Sequence, residues 1–146
     1  MFDFKNRGIV DYIYPLLERS TQIDPYFVFP YIFGGVYVLM DTGEIGSAMR
    51  LLIRGKYANP DRWEFPFYLG WIYWLYLNDS EKTYELLLEA VTKEQCPQFV
   101  FNIVADMSKQ ADRYSFTETY LKGLMESTDN KEIKKQISEI LQAMQN

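Results

Sequence analysis

Residues 66–73 have the sequence PFYLGWIY, in which one glycine lies among large apolar side chains. A small residue recurs at an interval of 35 positions, because Gly70 aligns with Gly35 on one side and with Ala105 on the other. Leucine recurs at the same interval, at Leu16, Leu51, Leu86 and Leu121. A pattern of residue size that repeats at such an interval is typical of a tandem array of one structural unit.

The small residues in this pattern predict closely packed helices. A glycine inside a helix costs roughly 1 kcal/mol relative to alanine, so Gly35 and Gly70 require a compensating role. Close approach of two helix backbones supplies this role, because it needs a small side chain at the point of contact. We expect further small contacts on the second helix of each unit, at Ala48, Gly55 and Ala90.

With these features the sequence resembles the tetratricopeptide repeat family. That family has the pattern W-x2-L-G-x2-Y in its first helix, and A-x3-F followed by a proline in its second helix. Residues 66–73 match three of the four first-helix positions, with Pro66 in place of the tryptophan. Residues 48–52 and Pro60 match the second-helix pattern, with leucine in place of phenylalanine. The resemblance spans about residues 9–127 and implies stacked pairs of antiparallel helices.

The repeat and the resemblance together predict a single all-α domain, 1–146, built as an α-solenoid of about eight helices. The resemblance implies that the helix pairs stack into a right-handed superhelix. Residues 9–23 align with a second helix and form either a half-repeat or an amino-terminal cap. Residues 130–146 are amphipathic and form a carboxyl-terminal capping helix. Three complete repeats are expected at 25–59, 60–94 and 95–129.

Each repeat contains two predicted helices separated by turn residues. Prolines near the expected helix starts support this division, because the first helical turn does not need the missing N–H group. Asp79 and Ser80 are candidate caps. Residues 26–33 are rich in β-forming side chains, but their place in the repeat favours a helix. The predicted first helices are 26–40, 61–77 and 97–109, and the second helices are 44–57, 79–93 and 113–127.

The composition argues against several classes of function. The 146 residues include no His and one Cys, Cys96, so we expect neither a disulfide framework nor a His/Cys zinc site. The net charge of −5 argues against nucleic acid as a partner, since phosphate binding needs concentrated Lys and Arg. The 20 Asp and Glu residues are scattered. We therefore predict that the protein is not an enzyme and uses no metal or cofactor.

The expected binding surface is a groove. In tetratricopeptide repeats the first helices line a concave groove, and the resemblance implies a groove that is apolar at one end, aromatic in the middle and polar at the other end. Trp71 and Trp74 are the strongest candidate anchors, and the alternative is that their rings belong to the core. The implied groove positions are Phe29, Ile32, Val36 and Leu39, then Glu64, Phe67, Trp71 and Trp74, then Phe99, Asn102, Asp106 and Lys109.

The groove positions also predict the class of partner. The family's grip on a peptide's terminal carboxylate needs Lys, Arg and Asn, but here those positions hold Ile32, Val36, Phe67 and Trp71. We therefore expect a scaffold that binds an apolar peptide or helix of another protein. The second hypothesis is a module that binds an acyl chain or another apolar small molecule in the same groove.

The amino-terminal half-repeat predicts a second contact surface. Its apolar face contains Ile9, Ile13, Leu16 and Leu17, and no first helix precedes it to cover that face. We expect a homodimer partner, a symmetry mate or the amino-terminal arm to cover it. We also expect the chain to belong to a longer protein, with a membrane tether ahead of residue 1 as a further hypothesis. The compartment stays open between the cytoplasm and a membrane-tethered location.

Overall fold

The computed structural model describes residues 7–110 and 113–146, with the side chains of the first range described from Asp11 onward. Within these ranges all regular structure is helical, which confirms the predicted all-α class. Helices α2 and α4 continue directly into the π-helices Phe33–Met40 and Tyr73–Leu77. In chain order the helices are α1 Arg7–Ile23, α2 Val28–Ile32, α3 Ile45–Ala58, α4 Glu64–Ile72, α5 Ser80–Ala90, α6 Gln98–Ser108, α7 Tyr114–Ser127 and α8 Lys131–Gln145.

The helix boundaries follow the sequence signals closely. The predicted helix 44–57 is observed as α3, and the predicted helix 113–127 is observed as α7. Asp79 caps α5, because its carboxylate accepts a hydrogen bond from the backbone N–H of Lys82 at 2.9 Å. The β-rich segment 26–33 is helical from Val28 onward. No helix in the described ranges combines the length and the apolar character needed to cross a bilayer.

The two π-helical segments are the main departure from the expected local structure. In a π-helix the backbone hydrogen bonds join residues five apart, so side chains are spaced around the axis differently from those of an α-helix. From Phe33 onward, therefore, the α-helical spacing that placed Leu39 in the groove no longer holds. Leu39 is fully buried in the core. The prediction that Leu39 lines the groove is wrong for this reason.

The buried side chains of the described residues form two apolar clusters. The first cluster joins α2, α3 and α4 and is covered by partly buried side chains of α1. The second cluster joins α6, α7 and α8. Helix α5 contributes to both, with Leu86 in the first and Leu87 and Leu88 in the second. The largest fully buried side chains include Tyr31, Leu51, Phe65, Phe101, Leu121 and Ile137.

The small residues lie where helices approach closely, as the sequence predicts for Gly35 and Gly70. A methyl group on Gly35 would lie 2.8 Å from Cγ of Leu52 in α3, and one on Gly70 would lie 3.3 Å from a backbone carbonyl oxygen of α5. A methyl group on Gly55 would lie only 2.2 Å from the ring of Phe65 in α4. A larger side chain at these positions would therefore have to displace its neighbour.

Side-chain contacts connect every second helix along the chain. They join α1 to α3, α3 to α5, and α5 to α7, through two ion pairs and one buried hydrogen bond. The partners are 33 to 36 residues apart in sequence, close to the repeat interval of 35. The pairs are Glu18–Arg54, Lys56–Glu89 and Tyr84–Thr117.

Helix α8 has the one-sided character predicted from the sequence. Asn130 caps it, because the side-chain oxygen accepts a hydrogen bond from the backbone N–H of Glu132 at 2.9 Å. Ile137 and Ile140 are fully buried and pack in the second cluster with α6 and α7. The opposite face of α8 is polar and exposed, with Lys131, Lys134, Lys135, Ser138 and Gln142.

Candidate functional site

An apolar cavity, here called the α4–α6 cavity, lies between α4, α5 and α6. Its volume is about 360 Å³, near the lower end of the range for ligand pockets in proteins. Aromatic side chains come from α4 and its π-helical extension, and aliphatic side chains come from α5 and α6. The lining residues are Phe67, Trp71, Trp74, Thr83, Leu87, Ile103 and Met107.

Two tryptophans form the rim of the α4–α6 cavity. Trp71 is 42% exposed and Trp74 is 55% exposed, and neither belongs to a core cluster. Leu87 is buried and lies at the floor. Ile103 and Met107 are one turn apart on α6 and form the wall that α6 contributes. Both tryptophans therefore lie at the surface beside the cavity and not in the core.

Aromatic contacts fix the orientation of Trp71. Its ring stacks on Tyr68, with centroids 6.0 Å apart, and lies 6.1 Å from the ring of Phe67. Phe67 contacts Phe99 of α6 edge-to-face at 5.5 Å, so rings join α4 to α6 next to the cavity. Ring pairs of this kind contribute about 0.5–1.5 kcal/mol beyond the burial of their area. Trp71 is therefore held in place before any ligand binds.

The α4–α6 cavity contains no charged side chain. Its single hydroxyl belongs to Thr83 and donates to the backbone carbonyl of Asp79 at 2.7 Å, and it lies 3.2 Å from that of Gly70. This hydroxyl is thus already occupied by backbone oxygens. Burial raises the pKa of the Tyr68 hydroxyl behind Trp71, which keeps that ring uncharged. The chemistry of the cavity suits an apolar group without a charge or a strong hydrogen-bond donor.

The implied groove positions of the first repeat are distributed between surface and core. Phe29 is 59% exposed and its ring stacks on Phe33, with centroids 5.3 Å apart. Ile32 and Val36 are partly buried and pack against the first cluster. None of these side chains lines the α4–α6 cavity. The first repeat therefore offers a separate aromatic surface.

The implied positions of the later repeats divide between the cavity lining, which includes Phe67, Trp71 and Trp74, and residues that do not line it. Glu64 is bound by Arg62 through two hydrogen bonds, one of them from Nε at 3.2 Å. Asn102 and Asp106 are exposed, and Asp106 lies 3.6 Å from Lys109. The α6 residues that line the cavity are Ile103 and Met107, which directly follow Asn102 and Asp106 in the sequence. An apolar pair four residues apart beside two polar residues is the sequence signal that could have identified them.

Cys96 is buried and has no basic neighbour that would activate it. Burial, with a smaller contribution from Glu64, raises the pKa of the thiol to about 12. A thiol with this pKa is protonated at neutral pH and is a poor nucleophile. Among the described residues no group of three or more His, Cys, Asp or Glu side chains is arranged to hold a metal ion.

Two further cavities are more polar than the α4–α6 cavity. One, of about 490 Å³, lies by the turns between repeats, and its carboxylates Asp61 and Glu94 are exposed. The other, of about 290 Å³, is lined by α3, α4 and α5 and contains the ion pair of Lys56 and Glu89. Their charged walls set them apart from the α4–α6 cavity.

The described part of the chain is thus an all-helical protein with one apolar cavity that carries a tryptophan rim. No protein-family model matches the sequence, and comparison with characterised proteins and with solved structures finds no significant match.

Proposed function

We propose that this chain is an α-solenoid of tetratricopeptide type. The support comes from the contacts between every second helix, whose partners are 33 to 36 residues apart. The turns show the same offset, because the side chain of Asn59 donates to the backbone carbonyl of Pro25, 34 residues earlier, at 3.0 Å. Contacts that recur at the sequence interval are expected when equivalent units stack on each other.

The proposed function is non-catalytic binding of another protein, with an apolar side chain of a peptide or helix inserted in the α4–α6 cavity. The observation that carries it is the exposed tryptophan rim around an uncharged cavity of about 360 Å³. Tryptophans that border a desolvated pocket are the commonest energetic centres of protein interfaces. Asn102 and Asp106 are exposed and directly precede the lining residues Ile103 and Met107 on α6, so we propose them as part of the polar rim that surrounds such centres.

The tryptophan rim supplies part of the free energy that a specific interaction needs. A half-exposed tryptophan offers on the order of 100 Å² for burial. At about 25 cal/mol per Å², this area contributes roughly 2.5 kcal/mol for each ring. Part of this energy is offset by the cost of ordering the two partners. Micromolar binding would then require further contacts along the groove, for which Phe67 and Phe99 are the nearest exposed or half-buried rings.

An acyl chain or other apolar small molecule is the second candidate for the same cavity. The specific observation in its favour is that the one hydroxyl in the lining, that of Thr83, already hydrogen-bonds to the backbone. The cavity therefore recognises shape and apolarity without demanding a polar group from its ligand. A peptide anchor and an acyl chain both meet this requirement.

Binding of an uncharged apolar probe, N-phenyl-1-naphthylamine, tests whether the cavity is a functional site. We expect the probe to gain fluorescence with the wild-type chain and to lose affinity in Trp71→Ala and Trp74→Ala, each by more than ~1 kcal/mol. Ile103→Trp should also reduce binding, because it fills the cavity from the α6 side. Tyr76→Ala is the matched control, since Tyr76 is an exposed ring on the same helix that does not line the cavity.

A displayed library of helical peptides separates the two candidate ligands. Enrichment of peptides with an apolar anchor, lost in Trp71→Ala, would support a protein partner. A co-purifying lipid seen by native mass spectrometry, and absent from Ile103→Trp, would instead support the acyl-chain alternative. Loss of thermal stability in Trp71→Ala and Trp74→Ala with unchanged binding would show that the rings are structural and would contradict the assignment.

A further inference from the structure

The leucines that recur at the repeat interval differ sharply in exposure. Leu51 and Leu121 are fully buried, and Leu86 is nearly so, whereas Leu16 is 65% exposed. The buried members are covered by the first helix of their own pair, because a methyl group on Gly34 of the α2 extension would touch Leu51 at 2.9 Å. A methyl group on Gly70 of α4 would likewise lie 3.4 Å from Cβ of Leu86 in α5. No described helix covers Leu16 in this way.

The aromatic side chains of the first repeat are also left uncovered at the place where a preceding first helix would pack. Phe99 of α6 packs on Trp63 and Phe67 of α4, the preceding first helix. Phe29 lies 70 residues before Phe99 and so has the equivalent place on α2. No preceding first helix among the described residues covers Phe29, which is 59% exposed. The helix that would cover Leu16 is the same helix that would cover Phe29, so the two surfaces are adjacent.

We name this combined surface the amino-terminal face. On α1 it contains an apolar stripe at spacings of four and seven residues. From Phe27 along α2 and its extension it contains a ladder of neighbouring rings, of which the first three are stacked and the last is tilted. Arg19 is the charged side chain on the stripe, and its length allows the charged end to reach the edge of the face. The other members are Tyr12, Leu16 and Ile23 on the stripe and Phe27, Phe29, Phe33 and Tyr37 on the ladder.

We infer that a second copy of this chain covers the amino-terminal face, in a two-fold symmetric homodimer. The accessible surface of an aromatic side chain is roughly 200 Å². The exposed surface of Tyr12, Phe27, Phe29 and Tyr37 together is therefore about 500 Å². Leu16 and Ile23 bring the total close to the ~800 Å² that each partner contributes to a stable dimer. The nearly uncharged composition is that of permanent homodimer interfaces, which are more apolar than transient ones.

The polar outer face of α8 decides the symmetry. A head-to-tail assembly would place α8 of one copy against α1 of the next, so that the ammonium groups of Lys131 and Lys134 would meet the apolar side chains of Tyr12 and Leu16. Burying these ammonium groups against apolar side chains is unfavourable. Pairing like surfaces leaves α8 in water and closes the assembly at two copies.

Sedimentation equilibrium of the purified chain tests this inference. We expect a dimer for the wild-type chain, and a dissociation constant raised more than tenfold by Leu16→Asp and by Phe29→Asp. Phe116→Asp is the matched control, because Phe116 is also an exposed, stacked ring but lies on α7. Circular dichroism of each variant checks that the helices are intact. A wild-type chain that is monomeric at all concentrations, or a dimer that survives both substitutions, would overturn the inference.

Spin labels locate the dimer contact independently of these substitutions. The buried Cys96 thiol stays unlabelled, so labels can be placed at Gln22→Cys on α1 and at Gln142→Cys on α8, both of which are exposed positions. The two α1 labels of a dimer should lie closer together than the two α8 labels, and the reverse order would reject the amino-terminal face. Probe binding in the α4–α6 cavity is a separate readout, so failure of the dimer leaves the proposed binding site to be judged on its own.

Discussion

Gly55 and Gly123 both lie inside helices, but their surroundings differ. A methyl group on Gly55 would lie 2.2 Å from the buried ring of Phe65, whereas one on Gly123 would meet nothing within 4 Å. We expect Gly55→Ala to lower the free energy of unfolding by about 1–3 kcal/mol, because the ring has no space to move. Gly123→Ala should raise it by up to about 1 kcal/mol through helix propensity. Urea denaturation of both variants measures the effects, and equal shifts would contradict the tight contact.

Cys96 gives a second prediction for a single residue. Burial raises the pKa of its thiol from 9.0 to about 12, so the folded chain holds about 1,000-fold less thiolate than the unfolded chain at neutral pH. Reaction with Ellman's reagent should therefore be slow in the folded protein and fast in guanidinium chloride. Because the raised pKa favours the protonated, folded form, its stabilising effect is lost as the pH rises from about 9 to about 12. Rapid labelling of the native chain would contradict the burial of Cys96.

At the scale of helices, the start of α5 depends on one of two neighbouring candidate caps. The Asp79 carboxylate accepts the hydrogen bond from the backbone N–H of Lys82, while Ser80 is the first helical residue. We expect Asp79→Ala to cost about 1 kcal/mol of stability, as is usual for loss of a cap. Ser80→Ala should change stability much less and is the matched control. Equal losses in thermal unfolding would show that the cap does not operate.

The π-helical segments also act at the scale of an element. The segment Phe33–Met40 turns Leu39 into the core, and the segment Tyr73–Leu77 includes Trp74 on the cavity rim. An α-helical wheel drawn through these residues misplaces side chains because the number of residues per turn changes along the helix. This change explains why an α-helical wheel places Leu39 on the same face as Ile32 and Val36, although Leu39 is fully buried.

At the scale of the whole molecule, leucines that recur at the 35-residue interval differ in how completely other helices cover them. Leu51 is fully buried, whereas Leu16, 35 positions earlier in the sequence, is 65% exposed. We expect Leu51→Ala to cost about 2–5 kcal/mol, and Leu16→Ala to cost less than about 0.5 kcal/mol when unfolding is followed at a concentration where the chain is monomeric. Similar losses at the two positions would contradict the difference in covering.

Much of the helical structure could be predicted from the sequence alone. The 35-residue recurrence of Gly35, Gly70 and Ala105 with its leucines indicated an all-α chain, and prolines and turn residues located the helix ends to within a few positions. Local signals of this kind act within one helix and its turns, so they can be read without knowing the partners. Trp71 and Trp74 could be named as candidate anchors because aromatic side chains on one helical face need a surface to contact.

Only the tertiary structure decided which apolar side chains are covered and which are exposed. Ile103 and Met107 are cavity walls because α6 packs beside α5, so that they line the same cavity as Leu87, which is 16 and 20 residues earlier in the chain. The spacing of the pair indicates an apolar face on α6, but it does not indicate which helix lies opposite that face. Leu39 is buried because the π-helical segment turns it into the first cluster, whereas Leu16 is 65% exposed because no described helix covers it. The sequence by itself determined the helices and their repeat, and the packing between helices determined the cavity and the amino-terminal face.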